Sequence, residues 1–242
     1  MKKMFTAFFT IISFTAVAQQ QFLGYGKIEY EFKLNIHKQM EGDWWGEEFK
    51  DKMARFKTSY FNLWFKDNKT LYQKGREPEE KVNFWDAVGF DEDLVYTDLE
   101  TGTFVRKKEI LQQQFLITDS IRHVEWRITN ELRDIAGFTC RKAVGRLLDT
   151  IYAVAFYTDE ITVSGGPISF AGLPGMILGL AIPRMGATWF ATKIELTEPQ
   201  PALITAPSRG KKINYKDLQE TIKKGVADWG SWGKRFMWQA ML

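Results

Sequence analysis

The sequence predicts a β-dominated fold, all-β to α+β: a curved antiparallel sheet, bowl-like or half-barrel in form, with a C-terminal helix. Two patterns and one absence carry this prediction. Ile28, Tyr30, Phe32, Leu34 and Ile36 alternate with Lys27, Glu29, Glu31, Lys33 and Asn35, the period of a strand with one buried and one wet face. From Leu94 onward, short segments rich in aromatic and β-branched residues recur between turn signals, as they do in sheet proteins. The regular strand–helix alternation of an α/β chain is missing. The curvature is inferred from strand spacing and by analogy.

The first residues are set apart from that sheet. Lys2 and Lys3 precede an apolar run, Met4 to Phe14, and Ala16-Val17-Ala18 supplies the small-x-small pattern read by a signal peptidase. The run is too short for a bilayer, which takes roughly 20 residues. Residues 1–18 are therefore read as a signal peptide, residues 19–198 as a β-rich domain, and residues 199–242 as linker, C-terminal helix and Trp-rich tail. No cysteine follows the cleavage site, so a lipoprotein is not expected. The expected location is the periplasm or the outer membrane.

Composition narrows the possible activities. Loss of Lys2 and Lys3 lowers the formal charge from +3 to +1, and no concentrated basic face marks the chain for nucleic acid. A single cysteine, Cys140, excludes an intrachain disulfide. It lies in a strand-like run and is read as a small buried residue. Stability must come from an apolar core, which 9 Trp, 8 Tyr and 19 Phe can build.

Taken in order, the alternating segment over 27–36 belongs in an antiparallel sheet. Trp45, Phe49, Met53 and Phe56 are spaced for one helical face, although Gly46 favours the competing reading of an irregular aromatic loop. "SYFNLWFKDNKTLYQK" reads as a hairpin turning at Asp67-Asn68, followed by a charged loop over 76–81. "LVYTDLETGTFVRKKEI" reads as a hairpin around Glu100 to Gly102. "QFLITDS" and "HVEWRITNE" continue the sheet, and "FTCRKAVGRL" and "TIYAVAFYTDEI" flank a turn near Leu148-Asp149. "MILGLAIPRMGATWFATKIELTE" reads as a hairpin turning near Pro183 to Gly186, and Glu198-Pro-Gln-Pro201 ends the sheet pattern. From Tyr215, Leu218, Ile222 and Val226 fall four apart, with Trp229 three further on, the stripe of a helix docked on the sheet.

Familiar chemistry is absent. His37, His123 and Cys140 lack metal-ligand spacing, and no Gly-x-Ser-x-Gly elbow, Walker loop or dinucleotide fingerprint occurs. No cofactor is expected. Asp91-Glu92-Asp93 and Asp159-Glu160 are the acid groups that a glycosidase-like mechanism could use, with solvated loop acids as the plainer reading. Trp44-Trp45 and Trp229, Trp232 and Trp238 could form a stacking or partner surface, or core and rim.

The least ordinary stretch is "GPISFAGLPGMILGL", residues 166–180. Leu173-Pro-Gly-Met176 has the residue order of a type II turn: Pro174 fixes φ at the second position and Gly175 accepts positive φ at the third. Gly172 permits a bend before the turn, and Met176-Ile177-Leu178 enter a strand apolar on both faces. The stretch resembles the signature of the GLPGLI family through Gly166, Pro167, Phe170, Gly172, Leu173, Pro174, Gly175, Ile177 and Leu178. Met176 replaces the family's second Leu. Upstream, Tyr157, Thr158 and Ile161 match the signature, and Trp126 and residues 137–143 resemble the family's preceding strands. The resemblance implies an exported, β-rich protein of a Gram-negative bacterium, with no established activity and no catalytic residues to carry over.

Three functions fit these residues. The foremost expectation is a non-enzymatic accessory or binding protein, acting on an outer-membrane transporter, a secretion component or an envelope lipid. It predicts an exposed apolar patch near Trp229 or Trp232. A carrier of an apolar ligand predicts a cavity between sheet and helix. A hydrolase predicts acids converging in a cleft.

Overall fold

The computed structural model describes residues 22–41, 48, 50–79, 93–148, 151–200 and 202–241, so the signal-peptide reading lies outside them. Twelve strands form one sheet: β1 (Tyr25–Asn35), β2 (Phe56–Lys66), β3 (Lys69–Lys74), β4 (Leu94–Asp98), β5 (Thr103–Ile110), β6 (Gln113–Ser120), β7 (Glu125–Ile135), β8 (Phe138–Leu148), β9 (Ile151–Thr158), β10 (Met176–Ile182), β11 (Ala187–Glu195) and β12 (Lys211–Ile213). Their order across the sheet is β12-β6-β5-β4-β3-β2-β1-β11-β10-β9-β8-β7. Every neighbouring pair is antiparallel except β12 with β6. Among the described residues the α-helices are α1 (Ile36–Gln39), α2 (Tyr215–Gly225) and α3 (Gly230–Met241).

Chain connectivity shows that this sheet cannot be flat. β6 and β7 lie ten strand spacings apart in the order, or about 48 Å at the usual spacing. Yet only residues 121–124 join Ser120 to Glu125, and that link spans at most about 18 Å. The sheet must therefore curl until its two ends approach. The predicted bowl is what results.

The inner face is built by alternation. Ile28, Tyr30, Phe32 and Leu34 of β1 are all buried, as are Phe61, Leu63 and Phe65 of β2. Phe32 packs on Trp189 with ring centroids 4.7 Å apart, and Phe61 stacks on Tyr72 at 4.8 Å. β10 departs from alternation because both its faces are covered: Met176 to Leu180 are buried throughout. β7, at the open edge, is the reverse. Ile128 and Leu132 are exposed there, and a register shift between them breaks the inward pattern.

Hairpin turns explain several strand junctions. Asp67 and Asn68 both adopt positive φ, as a two-residue type I′ turn requires, and the polar pair suits it. Leu111-Gln112 and Ala136-Gly137 make the same backbone choice. The helical face expected over Trp45, Phe49, Met53 and Phe56 is not realised at its end. Phe56 pairs with Asn35 and opens β2, because an extended ladder with β1 satisfies the backbone there. Trp44, Trp45 and Phe49 lie outside the described residues.

The C-terminal segment contributes more than a helix. β12 adds a short strand, and α2 buries Leu218 and Ile222, with Val226 buried just beyond it, on the stripe read from the sequence. Asn214 caps α2, its side chain accepting from the Asp217 N–H at 2.8 Å. The Trp-rich tail folds as α3. No helix among the described residues is long and apolar enough to cross a membrane.

Candidate functional site

The curled sheet leaves a cavity of about 470 Å³ against the C-terminal helices. β5 supplies Phe104 to it, the β6–β7 link supplies Val124, and β8 and β9 supply Leu147 and Ile151. These residues come from opposite ends of the strand order, so only the closure of the bowl brings them together. Tyr215 of α2 and Met237, Trp238 and Met241 of α3 form the opposing wall. The polar side chains are Asp119, Ser120, Arg122, Ser169, Lys216 and Gln219.

The wall is pinned by hydrogen bonds to the end of α3. Tyr215 Oη donates to the Met241 carbonyl at 2.7 Å, and Arg122 donates to the same carbonyl at 3.2 Å. The Tyr215 N–H donates to Asp119 at 3.0 Å, tying the start of α2 to β6.

Part of the glycine-rich stretch reaches this cavity. Ser169 and Phe170 line it, turned inward where the Phe170 N–H donates to the Pro167 carbonyl at 3.2 Å. The remainder forms a corner in the core. Gly166 is buried, and a side chain there would meet Ile177 Cβ at 2.9 Å. Leu173, Met176, Ile177 and Leu178 are buried, whereas Gly172 and Pro174 are exposed. Tyr30 Oη donates to the Ile177 carbonyl at 2.6 Å, and Trp126 Nε1 donates to the Ala171 carbonyl at 2.9 Å.

The turn itself differs from the type II expectation. The Gly175 N–H donates to the Leu173 carbonyl at 2.8 Å, which closes a γ-turn centred on Pro174. Gly175 does take positive φ, at 139°. Tight contact fixes the residue: a Cβ on Gly175 would stand 2.0 Å from the Thr158 carbonyl oxygen, so glycine is required where the chain passes β9.

A second polar feature lies beside the cavity, in the interior. Phe104, Arg106 and Lys108 share the inner face of β5, and Arg106 and Lys108 are both buried. Asp93, just before β4, stands one step beyond the Leu94–Lys107 pair and so faces Lys108 across the ladder. Arg106 Nη2 donates to Asp93, and Lys108 Nζ lies 3.6 Å from the same carboxylate. Lys108 also donates to the Gln239 carbonyl of α3 at 3.2 Å. Burial and then the Arg106 guanidinium push the Lys108 ammonium down to about 7. Burial, followed by the Asp93 carboxylate, raises the Tyr72 phenol well above its ordinary value. Tyr72 in turn accepts a hydrogen bond from Trp189 Nε1 at 3.1 Å.

The other candidate residues are dispersed. Asp91 and Glu92 lie outside the described residues, and Asp93 is committed to the buried cluster. Asp159 is exposed and Glu160 half-buried in the loop after β9, and neither lines the cavity. Cys140 is buried, and burial pushes its thiol up to about 12, which suits a core residue rather than a nucleophile. His37 sits 3.1 Å from the Met53 carbonyl, and no group of three metal-binding side chains occurs among the described residues. The three C-terminal tryptophans part company. Trp238 is half-buried beneath Arg184, whose guanidinium lies 4.9 Å from the ring. Trp229 is 46% exposed and packs edge-on against Phe236. Trp232 belongs to α3, and its side chain lies outside what the structure describes.

Comparison with known proteins agrees with this architecture. Residues 146–179 match the profile of a family described as a protein of unknown function, Porph_ging. This span contains the end of β8, all of β9 and most of the glycine-rich stretch. No curated protein matches the chain. Among solved structures, PNGF-II in a C2 crystal form is similar at a TM-score of 0.53 and 15% identity, over 83% of this chain and 33% of that one. PNGF-II in a P21 form gives 0.52 and 15%, over 81% and 33%. This chain thus spans about a third of PNGF-II, and at such identity the likeness is one of fold. An uncharacterized conserved protein from Thermus thermophilus is similar at a TM-score of 0.39 and 7% identity, over 78% of this chain and 90% of that one.

Proposed function

We propose that this chain is a non-enzymatic binding protein that holds an apolar ligand between its curved sheet and its C-terminal helices. The carrier reading thereby moves ahead of the docking reading. One observation supports it above the others. The cavity of about 470 Å³ falls within the ~300–1,000 Å³ usual for small-ligand sites, and its walls are mainly apolar and aromatic. Phe104, Leu147 and Ile151 on its floor belong to strands, which hold a fixed shape, while the opposing wall belongs to two short helices.

The rival readings have less behind them. A docking surface needs a contiguous apolar patch of several hundred Å², and Trp229 is the exposed aromatic of the C-terminal segment among the described residues. A hydrolase needs acids converging on one cleft, and Asp119 is the carboxylate that lines this one. We further propose that the protein acts after export, in the periplasm or at the outer membrane, on the strength of residues 1–18. An outer-membrane transporter or secretion component would then be the recipient of its ligand.

The test is titration with N-phenyl-1-naphthylamine, a neutral apolar dye whose emission rises on leaving water. Wild-type protein is expected to bind it saturably, and Met237→Trp, which fills the cavity from the α3 side, to abolish the signal with the circular dichroism spectrum unchanged. A wild type that gives no signal, or a Met237→Trp variant that binds equally, overturns the reading.

A further inference from the structure

The polar groups at the cavity wall are unequal, and their inequality specifies the ligand's other end. Asp119 is the acid among them, and its oxygens are already engaged. Oδ2 accepts from the Tyr215 N–H at 3.0 Å, and Oδ1 accepts from the Ser120 N–H at 2.8 Å and the Ser120 hydroxyl at 3.3 Å. Its charge holds α2 against β6.

The cations are not tied down in this way. Lys216 has no partner among the described residues, and Gln219, three positions along α2, has none either. That spacing places both on one face of the helix, and both line the cavity from exposed positions. Arg122 is half-buried and uses one N–H on the Met241 carbonyl, with its plane 5.6 Å from the Tyr215 ring. A guanidinium carries five N–H groups, so most of its donors remain. The remaining hydrogen-bonding capacity is thus largely donor capacity, with the two positive charges of Arg122 and Lys216 against the single negative charge of Asp119.

We propose, on the reading that this cavity holds an apolar ligand, that the ligand is a long-chain carboxylate or a similar single-chain amphiphile with an anionic head. The chain lies among Phe104, Leu147, Ile151 and Phe170, and the head sits at the wall between Arg122 and Lys216. Anionic oxygens there accept charge-assisted hydrogen bonds. A cationic head meets two like charges and a carboxylate already committed. A neutral head leaves both cations to water and gains little.

The probes are a dansyl-labelled undecanoic acid, its methyl ester and the matching dansyl-alkylamine, titrated against the full chain by fluorescence. At low salt the acid is expected to bind at least about tenfold more tightly than the ester, with the ratio shrinking as salt screens the head. Lys216→Glu, at an exposed position, is expected to remove the preference, so that acid and ester bind alike. Arg122→Gln is expected to weaken acid binding in the same sense. Equal affinity for acid and ester, tighter binding of the amine, or an acid preference that survives Lys216→Glu would each overturn the anionic assignment and leave the apolar cavity standing. Failure of all three probes to bind would overturn the cavity reading itself.

Discussion

The two flanks of the sheet are made from opposite materials. On the flank of β9, β10 and β11, the interior is apolar and its shape is set by backbone: Gly166, Gly175 and Gly179 stand where a single Cβ would meet another residue within 3 Å. On the flank of β4, β5 and β6, the interior holds a polar triad, Asp93, Arg106 and Lys108, buried beside the cavity. The first flank is shaped by close backbone approach and the second by the pairing of buried charges. Of the polar side chains lining the cavity, Asp119 and Ser120 belong to β6 of this second flank.

This contrast breaks most severely at Gly175. Its φ of 139° resists a β-branched residue, and the added Cβ would lie 2.0 Å from the Thr158 carbonyl oxygen. Backbone cannot yield there without breaking the β9–β10 pairing at Thr158–Met176. Gly175→Val is expected to destabilise by more than about 4 kcal/mol, or to leave no soluble protein. Gly172→Ala is the control, since φ is also positive but the new Cβ meets nothing closer than Trp126 Nε1 at 3.6 Å. Its cost should be about 1–3 kcal/mol. Urea unfolding of both variants separates close approach from backbone strain, and a Gly175→Val protein as stable as Gly172→Ala would remove the distinction between the flanks.

The charged flank is tested by Asp93→Ala. Removing the carboxylate leaves Arg106 buried without its counter-charge, and breaking a buried pair in this way costs about 3–5 kcal/mol. Adding Arg106→Met to that variant should restore much of the loss, because an apolar side chain of similar length needs no partner. A single variant that unfolds at the wild-type urea concentration would show that water reaches the triad.

Legibility in the sequence also divides between these flanks. The strands could be read because the buried face repeats every second residue, as in Ile28 to Leu34. Asp67-Asn68 could be read because those side chains favour positive φ, whereas Leu111-Gln112 adopt the same turn with no such signal. Gly175 could be read as a corner, though not as a γ-turn, since Pro174 followed by glycine suits either closure. Asp93 resembled any loop acid, and only the pairing of β4 with β5 sets it opposite Lys108 and diagonal to Arg106. β12 is too short for a period to show. The cavity was the least legible feature of all. Phe104 and Ile151 become neighbours only because the link over 121–124 is shorter than a flat sheet would need.

Lys108 gives the smallest and most informative test, because it reports whether the charged flank is dry. Its folded value of about 7 lies below the ordinary 10.5. Below about pH 7 the side chain is protonated in both states, and the cost of burying the ammonium is carried in full. Between about 7 and 10.5 the unfolded chain holds a proton that the folded chain has released, so stability rises with pH across that window, by at most about 1.4 kcal/mol per pH unit. Urea unfolding of the wild type is expected to show this rise, and Lys108→Met to flatten it. Taking the difference between the two proteins removes the contributions of the buried phenols of Tyr30 and Tyr72, which both share. The variant also forfeits the bond to the Gln239 carbonyl, so its gain at low pH is reduced by the value of that one contact. An unchanged slope in Lys108→Met would mean that the ammonium is solvated from the cavity side, and that the cavity and the triad form one wet site rather than two.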